Sequence, residues 1–157
     1  MKVHLSSIAE GIEFQSLESC SYLNLVTGEI ILVADEDIRA VESGDDISEH
    51  ADWYKETIAS TKMFLENEDQ YLELPTTYEL NEYQIMENFV CSIPAEEQRE
   101  KMLNLIRGKG AFYRFKQGIE RFLLKEQWYK YRDAEITKFA EEWCKENNLQ
   151  YENELKK

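Results

Sequence analysis

The stretch SYLNLVTGEIILVA, residues Ser21 to Ala34, decides the fold class. β-branched and aromatic residues lie on both sides of NLVTGE, the composition of strands that pack on one face. Gly28 can take the left-handed backbone that closes a hairpin with a bulge. An antiparallel strand pair is therefore expected here. Two strands do not hold together alone in water, so the hairpin must pack on helices. A further strand is available in QYLELP, Gln70 to Pro75, ended by Pro75, although a segment so short reads equally well as an extended loop.

Working outward, everything else carries helical periodicity. Upstream, Leu5, Ile8, Ala9 and Ile12 share one face of an amphipathic helix with Ser6 and Ser7 near its start as caps. Downstream, Asp35 is placed to cap a short helix through Ile38 and Val41 that stops at ESGDD, and Trp53, Ile58, Phe64 and Leu65 carry a longer one to ENEDQ. Thr77 or Asn81 starts a helix with Tyr83, Ile85, Met86, Phe89 and Val90, which must end before Pro94. Another, from Ala95 with Glu96 and Glu97 at its positive end, carries Met102, Leu103, Leu105 and Ile106 and stops at Gly108. The last long helix runs from Leu124 to ENN and places Phe139 and Trp143 on its buried side, with Trp128, Tyr131, Ile136, Ala140 and Cys144 as further apolar positions. No Gly-, Ser- or Pro-rich linker and no internal repeat divides the chain. The expectation is an α+β fold, a predominantly α-helical single domain over residues 1–157 with a small antiparallel β-hairpin near the N-terminus.

Much chemistry is disfavoured by what the sequence lacks. The longest apolar runs, such as EIILVA, fall far short of the roughly 20 residues of a membrane-spanning helix. The opening MKVHLSSIAEGIEF has no apolar core followed by a small-residue cleavage site, so a soluble, cytoplasmic protein is expected. Cys20, Cys91 and Cys144 are three and far apart, which suits small buried hydrophobes better than ligands or nucleophiles. There is no GxxxxGK[ST] loop, no HExxH and no GxSxG, and only His4 and His50 are available to a hidden triad. DEDIRAVESGDD, Asp35 to Asp46, mimics a calcium loop but has Arg39 where an oxygen ligand is needed and Ala40 where the sharp turn needs glycine. Catalytic residues, metal ligands and cofactors are accordingly not assigned, and an enzyme is the less favoured expectation.

Charge is the feature that points somewhere. The chain has a formal net charge of -14, yet residues 99–132 hold 10 basic and 3 acidic side chains. Five of the 18 basic residues fall in IRGKGAFYRFKQGIERF, Ile106 to Phe122, interleaved with aromatics. Such an island either binds an external anion or neutralises the protein's own acidic surface. If Ala111 to Phe122 is helical, Phe112, Phe115, Ile119 and Phe122 form a core stripe, with Arg114 and Arg121 in line opposite and Lys125 joining them if the helix runs on. Gly118 falls beside that line, at a cost of roughly 1 kcal/mol to the helix, which asks for a local reason such as a close approach. Gly108 and Gly110 serve as a helix stop and restart, or else backbone amides at the restart hold a phosphate or carboxylate with Arg107, Lys109 and Arg114 beside them. The candidate anion- or partner-binding residues are Arg107, Lys109, Gly110, Arg114, Arg121 and Lys125.

EFQSLESCSYLNLVTGEIILV, NEYQIMENFV, IRGKGAFYRFKQGIERF and EQWYKYRDAEITKFAEEWCKENNL together resemble a bacterial family catalogued as uncharacterised protein family 0158. The most specific part is the Gly-x-Gly-Ala-Phe core at Gly108 to Phe112, followed by Arg114, Phe115 and Lys116 and then by Trp128 and Tyr129. The resemblance covers nearly the whole chain and implies a small soluble bacterial protein. It carries over no catalytic or ligand residue. The preferred function is a non-enzymatic binding or regulatory module whose residues 107–132 recognise an acidic protein or a phosphate-bearing partner. The alternatives are a nucleic-acid-binding protein, disfavoured by the net charge, and an enzyme acting on a phosphorylated substrate.

Overall fold

The hairpin forms where the strand pattern places it. In the computed structural model, which describes residues 1–153, strands β2 (Ser19–Asn24) and β3 (Ile30–Ala34) pair antiparallel from Ser19 opposite Ala34 to Leu23 opposite Ile30. Gly28 closes the turn at φ 81, its N–H donating to the Asn24 carbonyl at 2.8 Å. QYLELP resolves as a strand: β4 (Tyr71–Glu73), reached through a short 3₁₀ turn at Glu68–Gln70, pairs antiparallel with the other edge of β2. The sheet order is β3-β2-β4.

Each face of this sheet takes one helix, because side chains alternate along a strand. Helix α1 (Leu5–Phe14) buries Leu5, Ile8, Gly11 and Ile12. It lies close enough to the sheet that a Cβ on Gly11 would come 2.7 Å from Leu74 Cδ2, and the Ser21 hydroxyl donates to the Gly11 carbonyl at 2.7 Å. On the opposite face Phe64 of α3 (Asp52–Glu66) meets the rings of Tyr22 and Tyr71 at centroid separations of 4.4 and 5.2 Å. Between β3 and α3, α2 (Asp35–Ser43) starts directly from the strand, with Asp35 as its first helical residue and Ala34 at the cap. Asp35 thus acts on the helix dipole rather than as the cap expected of it. Gly44, at φ 67, ends the helix. Ile58 and Phe64 face inward as expected, joined by Thr61, whereas Trp53, expected among the apolar positions of α3, stands 68% exposed.

Two short strands were not legible at all: β1 (Val3–His4) and β5 (Tyr151–Glu152) pair in parallel, with Val3 fully buried opposite Tyr151. Two residues are too few to show a period of two.

The chain packs as two compact units, one made of Met1–Thr77 with the segment from Ala140, the other of Tyr78–Phe139. The second is all helical. It holds most of α4 (Thr77–Leu80), α5 (Glu82–Cys91), α6 (Glu96–Leu105), α7 (Ala111–Arg121) and the first part of α8 (Lys125–Glu146). Both proposed start residues are used: Thr77 opens α4, and Asn81, at φ 56, caps α5 by accepting from the Gln84 N–H. An aromatic cluster sits among the aliphatic side chains of this unit's core. Phe89 meets Phe115, Trp128 and Tyr131 at 6.2, 5.3 and 5.5 Å, and Phe115 meets Trp128 edge-on at 4.7 Å. Along α8, Ile136, Ala140 and Cys144 form the fully buried line, while Phe139 and Trp143 flank it half-buried rather than sharing it. No helix among the described residues is long and apolar enough to cross a membrane.

The three thiols separate by environment, contrary to the expectation that all are buried. Cys91 is exposed, Cys20 half-buried and Cys144 buried. Burial, with the Glu141 carboxylate adding to it, pushes the Cys144 thiol up to about 11. At pH 8 a disulfide reagent should therefore label Cys91 in the native protein and reach Cys144 only after denaturation, since the thiolate is the reactive form. Native labelling of Cys144 at the rate of Cys91 would contradict the packing of α8.

Candidate functional site

The RGKG turn is held from within. α6 ends at Leu105, Gly108 and Gly110 take left-handed φ values of 74 and 79, and α7 restarts at Ala111. Arg114, one turn into α7, reaches back over this turn: Nε donates to the Leu105 carbonyl at 2.6 Å, Nη1 to Lys109 at 2.7 Å and Nη2 to Arg107 at 2.5 Å. A planar fork of donors suits three converging carbonyls, one from the last turn of α6 and two from the turn that follows it. Arg114 is thus half-buried and aimed at the backbone. Arg107 and Lys109 sit on the same turn with exposed side chains, around Gly110. A Cβ on Gly110 would come 3.0 Å from Arg114 Nη1, which adds a second reason for glycine there.

Arg121 and Lys125 lie elsewhere. α7 does not run on: Phe122 ends it, Leu123 takes φ 57, and Lys125 opens α8. Arg121 closes the last turn of α7, its guanidinium carbon 5.7 Å from the Phe122 ring centre. At 1.5 Å per residue it stands about 10 Å along the axis from Arg114. The structure therefore brings Arg107, Lys109, Gly110 and Arg114 together at one end of α7 and leaves Arg121 and Lys125 at the other. Gly118 has its local reason in α6, since a Cβ there would fall 2.5 Å from Met102 Sδ and 2.9 Å from Leu105 Cδ1.

Between α7 and α8 opens a cavity of about 410 Å³. α7 contributes Phe112, Phe115, Lys116 and Ile119; α8 contributes Trp128, Tyr129 and Arg132; Glu82 comes from the first turn of α5. Phe115, Ile119 and Trp128 are its buried floor, whereas Phe112 is 45% and Tyr129 51% exposed. Phe112 thus leaves the core stripe expected of it and stands at the cavity edge, its ring T-shaped against Tyr83 at 6.4 Å. Arg132 donates to Glu82 in a close ion pair. Lys116 makes no ion pair among the described residues, and neither do Arg107, Lys109, Arg121 or Lys125. No group of three or more His, Cys, Asp or Glu among the described residues is arranged to hold a metal ion.

Lys116, Arg132 and Glu82 were not among the candidate binding residues read from the sequence. The available signal was spacing: Phe112, Phe115, Lys116 and Ile119, and likewise Lys125, Trp128, Tyr129 and Arg132, each follow the i, i+3, i+4, i+7 pattern that marks one helix face.

A predominantly helical α+β chain with an aromatic-lined cavity in its basic segment is the class that fold and site define. The chain belongs to the Uncharacterised protein family (UPF0158), whose model matches residues 2–156. No curated protein and no solved structure matches it.

Proposed function

We propose that this protein is a non-enzymatic binding or regulatory module of the cytoplasm that recognises an acidic protein or a phosphate-bearing partner through residues 107–132. One observation carries the reading: in a segment with 10 basic and 3 acidic residues, Arg107, Lys109, Lys116, Arg121 and Lys125 have no carboxylate partner among the described residues. A contact pair would cancel such a charge locally. Unpaired, they leave a positive field for an anionic partner to meet, and that field supplies encounter rate and specificity.

Exposed Tyr113 and Tyr129 favour nucleic acid as the second reading, because exposed rings can stack on bases. Affinity capture from a bacterial lysate, with and without nuclease, separates the two. A variant carrying Arg121→Glu and Lys125→Glu should melt within about 0.5 kcal/mol of the parent, since both side chains are exposed, and should lose the captured partner. The parent's capture should weaken as salt rises. Undiminished capture by the folded double variant would remove the proposal.

A further inference from the structure

We infer that the cavity between α7 and α8 is a small-molecule site for an anion carrying a flat aromatic ring, with the ring against Phe112 and Tyr129 and a phosphate or carboxylate on the Lys116 ammonium. This deepens the anion-binding reading of residues 107–132 and rests on it.

Size, walls and charge agree. At about 410 Å³ the cavity falls in the range of ligand pockets, roughly 300–1,000 Å³, and like them it is lined mainly by apolar and aromatic side chains with a few polar groups. Its floor is rigid: Phe115 and Trp128 interlock at 4.7 Å and are 1% and 9% exposed, so the space does not close by collapse of its base. The two exposed rings differ in how they are held. Phe112 is braced by Tyr83, whose hydroxyl donates to the Ile106 carbonyl at 2.9 Å. Tyr129 has no hydrogen bond or ring partner among the described residues, which leaves its face available for stacking. Of the three charged groups in the lining, Arg132 and Glu82 pair with one another and offset, so Lys116 sets the sign. A neutral ring leaves that ammonium unanswered, and a bare anion leaves the aromatic walls in water. A ligand with both groups satisfies both.

Isothermal titration calorimetry of the intact chain tests this with adenosine 5′-monophosphate and indole-3-acetate, against inorganic phosphate and adenosine as half-ligands. At least one ring-bearing anion should bind ten times or more tightly than either half-ligand, and the tighter of the two identifies phosphate or carboxylate as the preferred group. Lys116→Ala and Tyr129→Ala, both at exposed positions, should each weaken binding roughly tenfold while melting like the parent. No binding of either anion at millimolar concentration, or binding indifferent to both substitutions, overturns the inference. In that case loss of the captured partner by the Arg121/Lys125 variant still upholds the wider proposal, so the two failures are distinguishable.

Discussion

Phe115→Ala should lower stability by about 3–5 kcal/mol, a large share of the 5–15 kcal/mol that holds a typical domain folded. Phe115 is among the largest fully buried side chains, 1% exposed, with Trp128 at 4.7 Å and Phe89 at 6.2 Å. Truncation removes the transfer energy of a whole ring, leaves a void, and breaks edge-to-face contacts worth about 0.5–1.5 kcal/mol each. The comparison is Phe112→Ala. Sequence periodicity puts both rings on one stripe of α7, but Phe112 is 45% exposed and its loss should cost under about 1 kcal/mol. Urea midpoints at unchanged slope measure both. If Phe115→Ala does not fold, Phe115→Leu, a partial truncation, should fold with a smaller loss. Equal effects at positions 112 and 115 would show that the orientation of α7 is wrong.

Arg114→Ala should cost about 2–3 kcal/mol, far more than an exposed arginine is worth. Its guanidinium holds the Leu105, Arg107 and Lys109 carbonyls at once, and hydrogen bonds from a charged donor contribute about 1.5–3 kcal/mol each where water is excluded. The side chain is half-buried, so the sum over three is discounted. Arg114→Lys should recover little, because one ammonium cannot span three carbonyls as a planar fork does. Arg114→Glu should be worse than alanine, placing a carboxylate against carbonyl oxygens at the negative end of α6. Arg121→Ala, on the same helix and exposed, should stay within about 0.5 kcal/mol of the parent. Urea unfolding of these four variants decides it. If Arg114→Lys matches the parent, the fork has no structural role. Charge reversal at Arg114 would therefore confuse loss of fold with loss of binding, which is why Arg121 and Lys125 carry the binding test.

The sequence by itself determined the hairpin and the helical segments, but not the two-residue strands β1 and β5. The hairpin at Ser21 to Ala34 with its turn glycine, the helix stop at Gly44, the break between two helices around Gly108 and Gly110, and the Asn81 cap follow from spacing and backbone preference, which act within a few residues. Tertiary structure alone decided which members of a periodic stripe lie at its centre and which at its edge. Phe115 and Phe112, or Ala140 and Trp143, differ only in what packs opposite them. It also decided where Arg114 points, since the three carbonyls it meets converge only once the RGKG turn has folded, and it made the cavity, whose walls belong to α5, α7 and α8. The joints between the two packing units left no mark in composition because they fall inside helices, at Thr77–Tyr78 in α4 and Phe139–Ala140 in α8. A helix keeps its hydrogen bonds and its period through such a joint, so local sequence has nothing to signal there.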